Sequence, residues 1–177
     1  SIGFIVLIVV SFSGSFKFVD IVLFQQQVWN VITLSSLFFI FFSIGLAETN
    51  RHPYDLPEAE AELVSGYNTE YSGMKFALFS LAEYGHMITM SILITLFFLG
   101  GWLAPFNVVN CEIVGSFFFV IKVLFFIILF IYARAALPRY RYDQLMDLGW
   151  KIYLPFLAAF FYLNSTLLSI LDISYYS

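Results

Sequence analysis

Cysteine occurs once in this chain of 177 residues, at Cys111, which excludes an intramolecular disulfide, a CxxC redox pair and a thiolate set for an iron–sulfur cluster. A redox centre serving this chain therefore belongs to a partner. Charge is also scarce: 11% of residues are Asp, Glu, Lys or Arg and 61% are hydrophobic, whereas about a quarter of a soluble domain is charged. Such a composition points to the lipid bilayer as solvent. The sequence has no basic tail or arm for nucleic acid, no His/Cys cluster, no nucleotide-binding glycine loop and no nucleophile elbow, so nothing suggests a self-contained enzyme. Nor is there an internal repeat of the kind that builds inverted-repeat transporters. The first residue is Ser1, and the opening apolar run lacks the basic start and small-residue cleavage site of a signal peptide. The chain therefore reads either as truncated or as one piece of a split protein, and we favour the split, in which a separate polypeptide carries the preceding half.

Apolar runs are what the sequence does contain. A helix needs about 20 mainly apolar residues to cross a hydrocarbon core. The expected fold is all-α, a polytopic helical membrane protein forming a single membrane domain with four full transmembrane helices plus a partial N-terminal one. The partial helix covers 1–18, since Ile2 to Phe12 alone is too short to cross. A polar step around Lys17 and Asp20 follows, and then a helix at 28–47 without a charge. An acidic segment at 48–75 carries Pro53, Pro57, Gly66 and Gly73 as breakers. Helices at 76–99 and 113–133 come next, then a basic loop at 134–151 and a last helix at 152–170. The 48–75 and 134–151 loops hold Arg51, Lys75, Arg134, Arg139, Arg141 and Lys151, whereas the opposite side holds Lys17. The positive-inside rule then puts both loops on the matrix or cytoplasmic side and the C-terminus on the other. Phenylalanine fills 23 positions, more than hydrophobicity requires, which is compatible with an AT-rich organelle gene.

Glu48, Asp55, Glu58, Glu60, Glu62 and Glu70 are the densest polar cluster. Closely spaced carboxylates raise one another's pKa and suit proton transfer, although a solvated acidic loop has the same composition. Glu83 lies inside an apolar run, where a charge costs roughly 2.5–3.5 kcal/mol, with His86 one turn further along. It reads either as functional or as a structural ion pair. Lys122 either snorkels to an interface or pairs with a carboxylate. Arg134, Arg139 and Arg141 interleave with Tyr132, Tyr140 and Tyr142, a pattern that fits a pocket for a polar head group or plain juxtamembrane anchoring.

Several strings carry a specific resemblance: LAETNRHPYDLPEAEAELVSGYNTEYSG from Leu46, FALFSLAEYGHMITM from Phe76, FLGGW from Phe98 and RAALPRYRYDQLMDLGWK from Arg134. In order and content they resemble the C-terminal half of the quinone-site membrane subunit of respiratory complex I, the NADH-ubiquinone oxidoreductase chain 1 family. The resemblance implies a core subunit of a proton-pumping enzyme that helps form the ubiquinone tunnel and couples quinone reduction to proton translocation. It assigns Glu48, Asp55, Glu58, Glu60, Glu62 and Glu83 to the proton path. Arg51, Arg134, Arg139, Arg141 and Asp143 go to the quinone tunnel or the interface with the hydrophilic arm. Ubiquinone is the implied substrate, while NADH, FMN and iron–sulfur clusters belong to partner subunits. The implied partners are other complex I subunits, including those of the hydrophilic quinone module, together with membrane lipids. The mitochondrial inner membrane is the implied location. The family's N-terminal spans and first matrix loop are not in this sequence. Two rival readings are a cation/proton antiporter or channel using Glu83 and Lys122, and a structural membrane anchor for a soluble redox partner.

Overall fold

A computed structural model describes residues 1–54, 73–104 and 112–176, except for the side chains of residue 112 and of residues 171–176. Every regular element among them is a helix. We number these α1 (Ile2–Ser13), α2 (Phe18–Phe24), α3 (Asn30–Thr33), α4 (Ser35–Glu48), α5 (Met74–Phe98), α6 (Glu112–Ala136), α7 (Tyr142–Asp147) and α8 (Leu154–Tyr176). A π-helical segment, Leu148–Tyr153, joins α7 to α8.

Helices α5 and α6 have 25 residues each, about 37 Å of rise, enough to span a bilayer with some tilt. The third long span is the continuous run Tyr142–Ile170. Thus much of the expected 134–151 loop is helical, since α6 continues to Ala136 and the next helix resumes at Tyr142. Only the short connection around Pro138, which lacks an N–H to donate, breaks the path. Gln144 restarts the helix by accepting the Arg141 backbone N–H at 3.3 Å. The π segment then absorbs an extra residue and the helix carries on into α8.

The N-terminal region also departs from the expected pattern. Gly14 stops α1 with φ of 70°, and its N–H bonds the Val10 carbonyl at 2.8 Å. The Lys17–Asp20 step is the start of α2, with Asp20 in its first turn, where a carboxylate favours the helix N-terminus. α1 and α2 meet at 62°, either a broken span or a re-entrant pair. The expected 28–47 helix is divided at Leu34, whose φ and ψ of −116° and 39° are not helical. The piece that follows, α4, has 14 residues, about 21 Å of rise.

Phenylalanine does much of the packing where α4, α5 and α6 meet. Phe41 is fully buried, its ring 6.0 Å from Phe97 and 5.6 Å from Phe98. Phe38 reaches both Phe98 and Phe126, and Phe42 lies 5.1 Å from Phe130. Gly45 allows this approach, because a Cβ there would stand 3.3 Å from Met90 Cε and 3.4 Å from Phe130 Cζ. The buried positions of α6, Val123, Phe126, Phe130 and Ala133, recur at three- and four-residue spacing and form one stripe. Its other face exposes Phe117, Val120, Leu124, Phe125, Ile128 and Ile131, an apolar surface suited to lipid or other protein. α8 packs on α1 through Phe161 against Phe4 and through Asn164, which donates to the Ile8 carbonyl at 3.4 Å.

Phe41→Ala should therefore lower the unfolding free energy in detergent by about 3 kcal/mol, the usual scale for emptying a packed aromatic site. Phe39→Ala on the exposed face of the same helix should leave the thermal midpoint almost unchanged.

Candidate functional site

The helix end at Glu48 sets the geometry of the charged region. Asn50 adopts φ of 48°, the left-handed conformation that asparagine tolerates. Around it the Arg51 N–H bonds the Leu46 carbonyl at 3.1 Å and the Asn50 N–H bonds the Ala47 carbonyl at 3.2 Å. This pair of bonds is a Schellman cap, and the Thr49 hydroxyl adds a 3.0 Å bond to the Gly45 carbonyl. The string Glu48-Thr49-Asn50 thereby turns the chain sharply out of α4. Glu48 is exposed at the turn, whereas Arg51 is buried.

Residues 51–54 are then held from two sides. The Arg51 guanidinium lies over the Tyr84 ring, 5.3 Å from its centre, next to Glu83 on α5. On the other side, the Tyr140 N–H bonds the Pro53 carbonyl at 3.0 Å, Arg139 Nε donates to His52 Nε2 at 3.2 Å, and Tyr54 stacks on Tyr140 at 5.7 Å. Tyr54 Oη meets Ser43 Oγ of α4 at 2.7 Å, and the same Oγ meets Tyr153 Oη of the π segment at 2.6 Å. The two phenols are 3.2 Å apart. Burial pushes the Tyr54 phenol well above its ordinary value, so it stays protonated and able to donate at neutral pH.

The structure thus joins Arg51 and Arg139 to one assembly with His52, Tyr54, Tyr140 and Tyr153. Arg134, Arg141 and Asp143 are exposed on the same stretch of chain. Asp55, Glu58, Glu60 and Glu62 lie outside the described residues, as does Glu70. Glu83 and His86 are exposed on the first half of α5, and no described residue forms an ion pair with Glu83. The ion pair between Asp147 and Lys151 is solvent-exposed and contributes little.

Lys122 does not join this end of the bundle. Its ammonium donates to the carbonyls of Leu99, Gly101 and Leu103 at 2.7, 3.0 and 2.7 Å, beyond the far end of α5. Leu99 is sixteen residues from Glu83 along the chain, about 24 Å of helical rise. Glu83 and Lys122 therefore do not face one another across a shared path. A groove of about 400 Å³, lined by Phe12, Phe24, Gln26, Val28 and Thr33, also lies apart from the arginines.

Sequence reasoning missed Tyr54, Tyr153 and Ser43, since hydroxyls 99 and 110 residues apart leave no spacing signal. The Asn50 cap was legible in principle from Thr-Asn at a helix end.

A family model described as NADH dehydrogenase matches residues 1–165. The chain belongs to this family. It is 58% identical over 156 residues to NADH-ubiquinone oxidoreductase chain 1 of Arabidopsis thaliana, covering 88% of this chain and 48% of that protein. The corresponding chain 1 of Chondrus crispus is 54% identical over 169 residues, covering 95% and 52%. An NADH-quinone oxidoreductase subunit of the bacterium Paramagnetospirillum magneticum is 49% identical over 169 residues, covering 96% and 50%. The chain spans about half the length of the curated relatives it matches.

The raised Tyr54 pKa has a definite sign in stability. The folded state holds this proton more tightly than the unfolded chain, so the contribution is fully present below the ordinary value of 10 and is lost as pH rises beyond it. Tyr54→Phe should therefore flatten the fall in thermal midpoint above about pH 10, measured against the wild type from pH 8 to 11.

Proposed function

We propose that this chain forms part of the quinone-site membrane subunit of a proton-pumping NADH:ubiquinone oxidoreductase in the mitochondrial inner membrane. The observation that carries this reading is the joining of residues 51–54 to residues 139–140 and Tyr153, which puts buried Arg51 and exposed Arg139 at one end of an apolar bundle. Guanidinium groups and aromatic rings at a membrane boundary suit a polar head group on an apolar tail. The names of the relatives supply the chemistry, quinone reduction by NADH.

Electrons reach ubiquinone from NADH through FMN and iron–sulfur clusters held by other subunits, consistent with the single cysteine here. This chain holds the quinone end. Arg51, Arg134, Arg139, Arg141 and Asp143 line the tunnel or the hydrophilic-arm interface. Quinone reduction creates negative charge and a demand for protons, which shifts coupled carboxylates as a group. Glu48, Asp55, Glu58, Glu60 and Glu62 are that group, and Glu83 is the step into the membrane.

Both charged segments face the matrix, and the C-terminus faces the intermembrane space. The first half of α5, with Glu83 and His86 exposed, is covered by other protein, since an uncovered carboxylate in lipid is costly. We assign that cover to neighbouring complex I subunits. The antiporter reading loses its basis in the separation of Glu83 from Lys122.

Isolation in mild detergent should recover this chain with iron–sulfur subunits and inhibitor-sensitive NADH:quinone reduction. Recovery without any of these would refute the assignment. Glu83→Gln should assemble to wild-type levels yet lower turnover and proton transfer per assembled complex by about tenfold or more, the general acid–base range being wider still. Lower assembly with intact turnover would instead indicate a structural anchor.

A further inference from the structure

The break between α5 and α6 is closed by an arrangement that the quinone chemistry does not use. After Phe98 the chain makes two left-handed residues, Gly100 with φ of 65° and Gly101 with φ of 51°. This elbow aims the carbonyls of Leu99, Gly101 and Leu103 at one point, and Lys122 Nζ occupies it at 2.7, 3.0 and 2.7 Å. The Trp29 ring covers the ammonium, with its centre 4.7 Å from Nζ. An ammonium has three N–H donors and no acceptor, so three carbonyls satisfy it and the aromatic face shields its charge.

Neighbouring side chains fix the same elbow. Gln25, wholly buried, donates to the Leu96 carbonyl at 2.9 Å and accepts the Gly100 N–H at 2.9 Å. Asn30 donates to the Phe97 carbonyl at 3.0 Å. Side-chain volume at Gly101 is excluded on two sides, since a Cβ would stand 3.1 Å from both Leu96 Cδ2 and Val22 Cγ2. The cage is therefore preformed by backbone that other residues hold in place.

We propose that the Leu99, Gly101 and Leu103 carbonyls and the Trp29 ring form a binding site for a primary alkylammonium, filled in this protein by its own Lys122. The side chain is a tethered cationic ligand that fastens the α5–α6 elbow to the α2–α3 break. A carboxylate partner is not required, because converging carbonyl dipoles supply the negative potential. The inference is independent of the quinone reading, since it rests on backbone geometry at the opposite end of α5.

The test uses the intact detergent-solubilised complex containing the full chain, with amide hydrogen exchange of residues 97–104 at pH 7 as readout. Lys122→Ala should speed exchange there by about tenfold to a hundredfold, the scale of losing hydrogen bonds to a charged group. n-Propylammonium chloride, the fragment deleted by that change, should restore protection, whereas tetramethylammonium chloride, which has no N–H donor, should not. Lys122→Met fills the space of the stem and should resist rescue. Unchanged exchange in Lys122→Ala, or equal restoration by tetramethylammonium, overturns the site. If Lys122→Ala does not assemble, Trp29→Leu reads the same cage: about tenfold faster exchange supports it and wild-type exchange overturns it.

Discussion

Inside a bilayer no water is available to satisfy a backbone group released from a helix, and this constraint shapes the ends of α4 and α5. Continuous helices meet it on their own. Interrupted ones need side chains that are polar, buried and correctly aimed. Gln25, Asn30 and Lys122 perform that task for the carbonyls at the end of α5, and Thr49 with the Asn50 turn does so for the end of α4. The few buried polar residues in a largely apolar core are thus concentrated where the backbone is irregular. Asn164 and Ser91 are exceptions: Asn164 links α8 to α1 across two regular helices, and Ser91 donates to the Met87 carbonyl within α5.

The two ends of the bundle use different chemistry for the same requirement. At the α5–α6 elbow the solution is fixed positive charge against carbonyl dipoles. At the other end, hydroxyls of Ser43, Tyr54 and Tyr153 satisfy one another, and an arginine and a histidine link the flanking segments. That second arrangement gathers Arg51 and Arg139 around residues 51–54, Arg51 buried and Arg139 exposed. Between the two ends, phenylalanine rings from α4, α5 and α6 interlock. Apolar packing of this kind holds helices together in lipid through van der Waals contact rather than through water exclusion.

Span content was readable because a bilayer imposes a minimum length of uncharged residues, so α5 and α6 stand out from hydropathy alone. Breaks within apolar sequence were not readable. Leu34 divides one apolar run without a proline or glycine, and the helices on either side of it, α3 and α4, both pack on α5. The reverse case is 142–151, where charges suggested a loop although Tyr142–Asp147 and Leu148–Tyr153 are helical. Charges in that stretch lie on exposed positions and so do not oppose helix formation.

By itself, then, the sequence determined the solvent, the helical class and, through long strings such as LAETNRHPYD and PRYRYDQ, the family. These properties depend on local composition and on residue order, which the chain carries without folding. Tertiary structure alone decided the partners of Lys122, the meeting of Tyr54 with Tyr153 and the separation of Lys122 from Glu83. Those depend on which helix ends come together in space. Backbone carbonyls, the ligands of Lys122, have no residue type, so no sequence pattern can announce them.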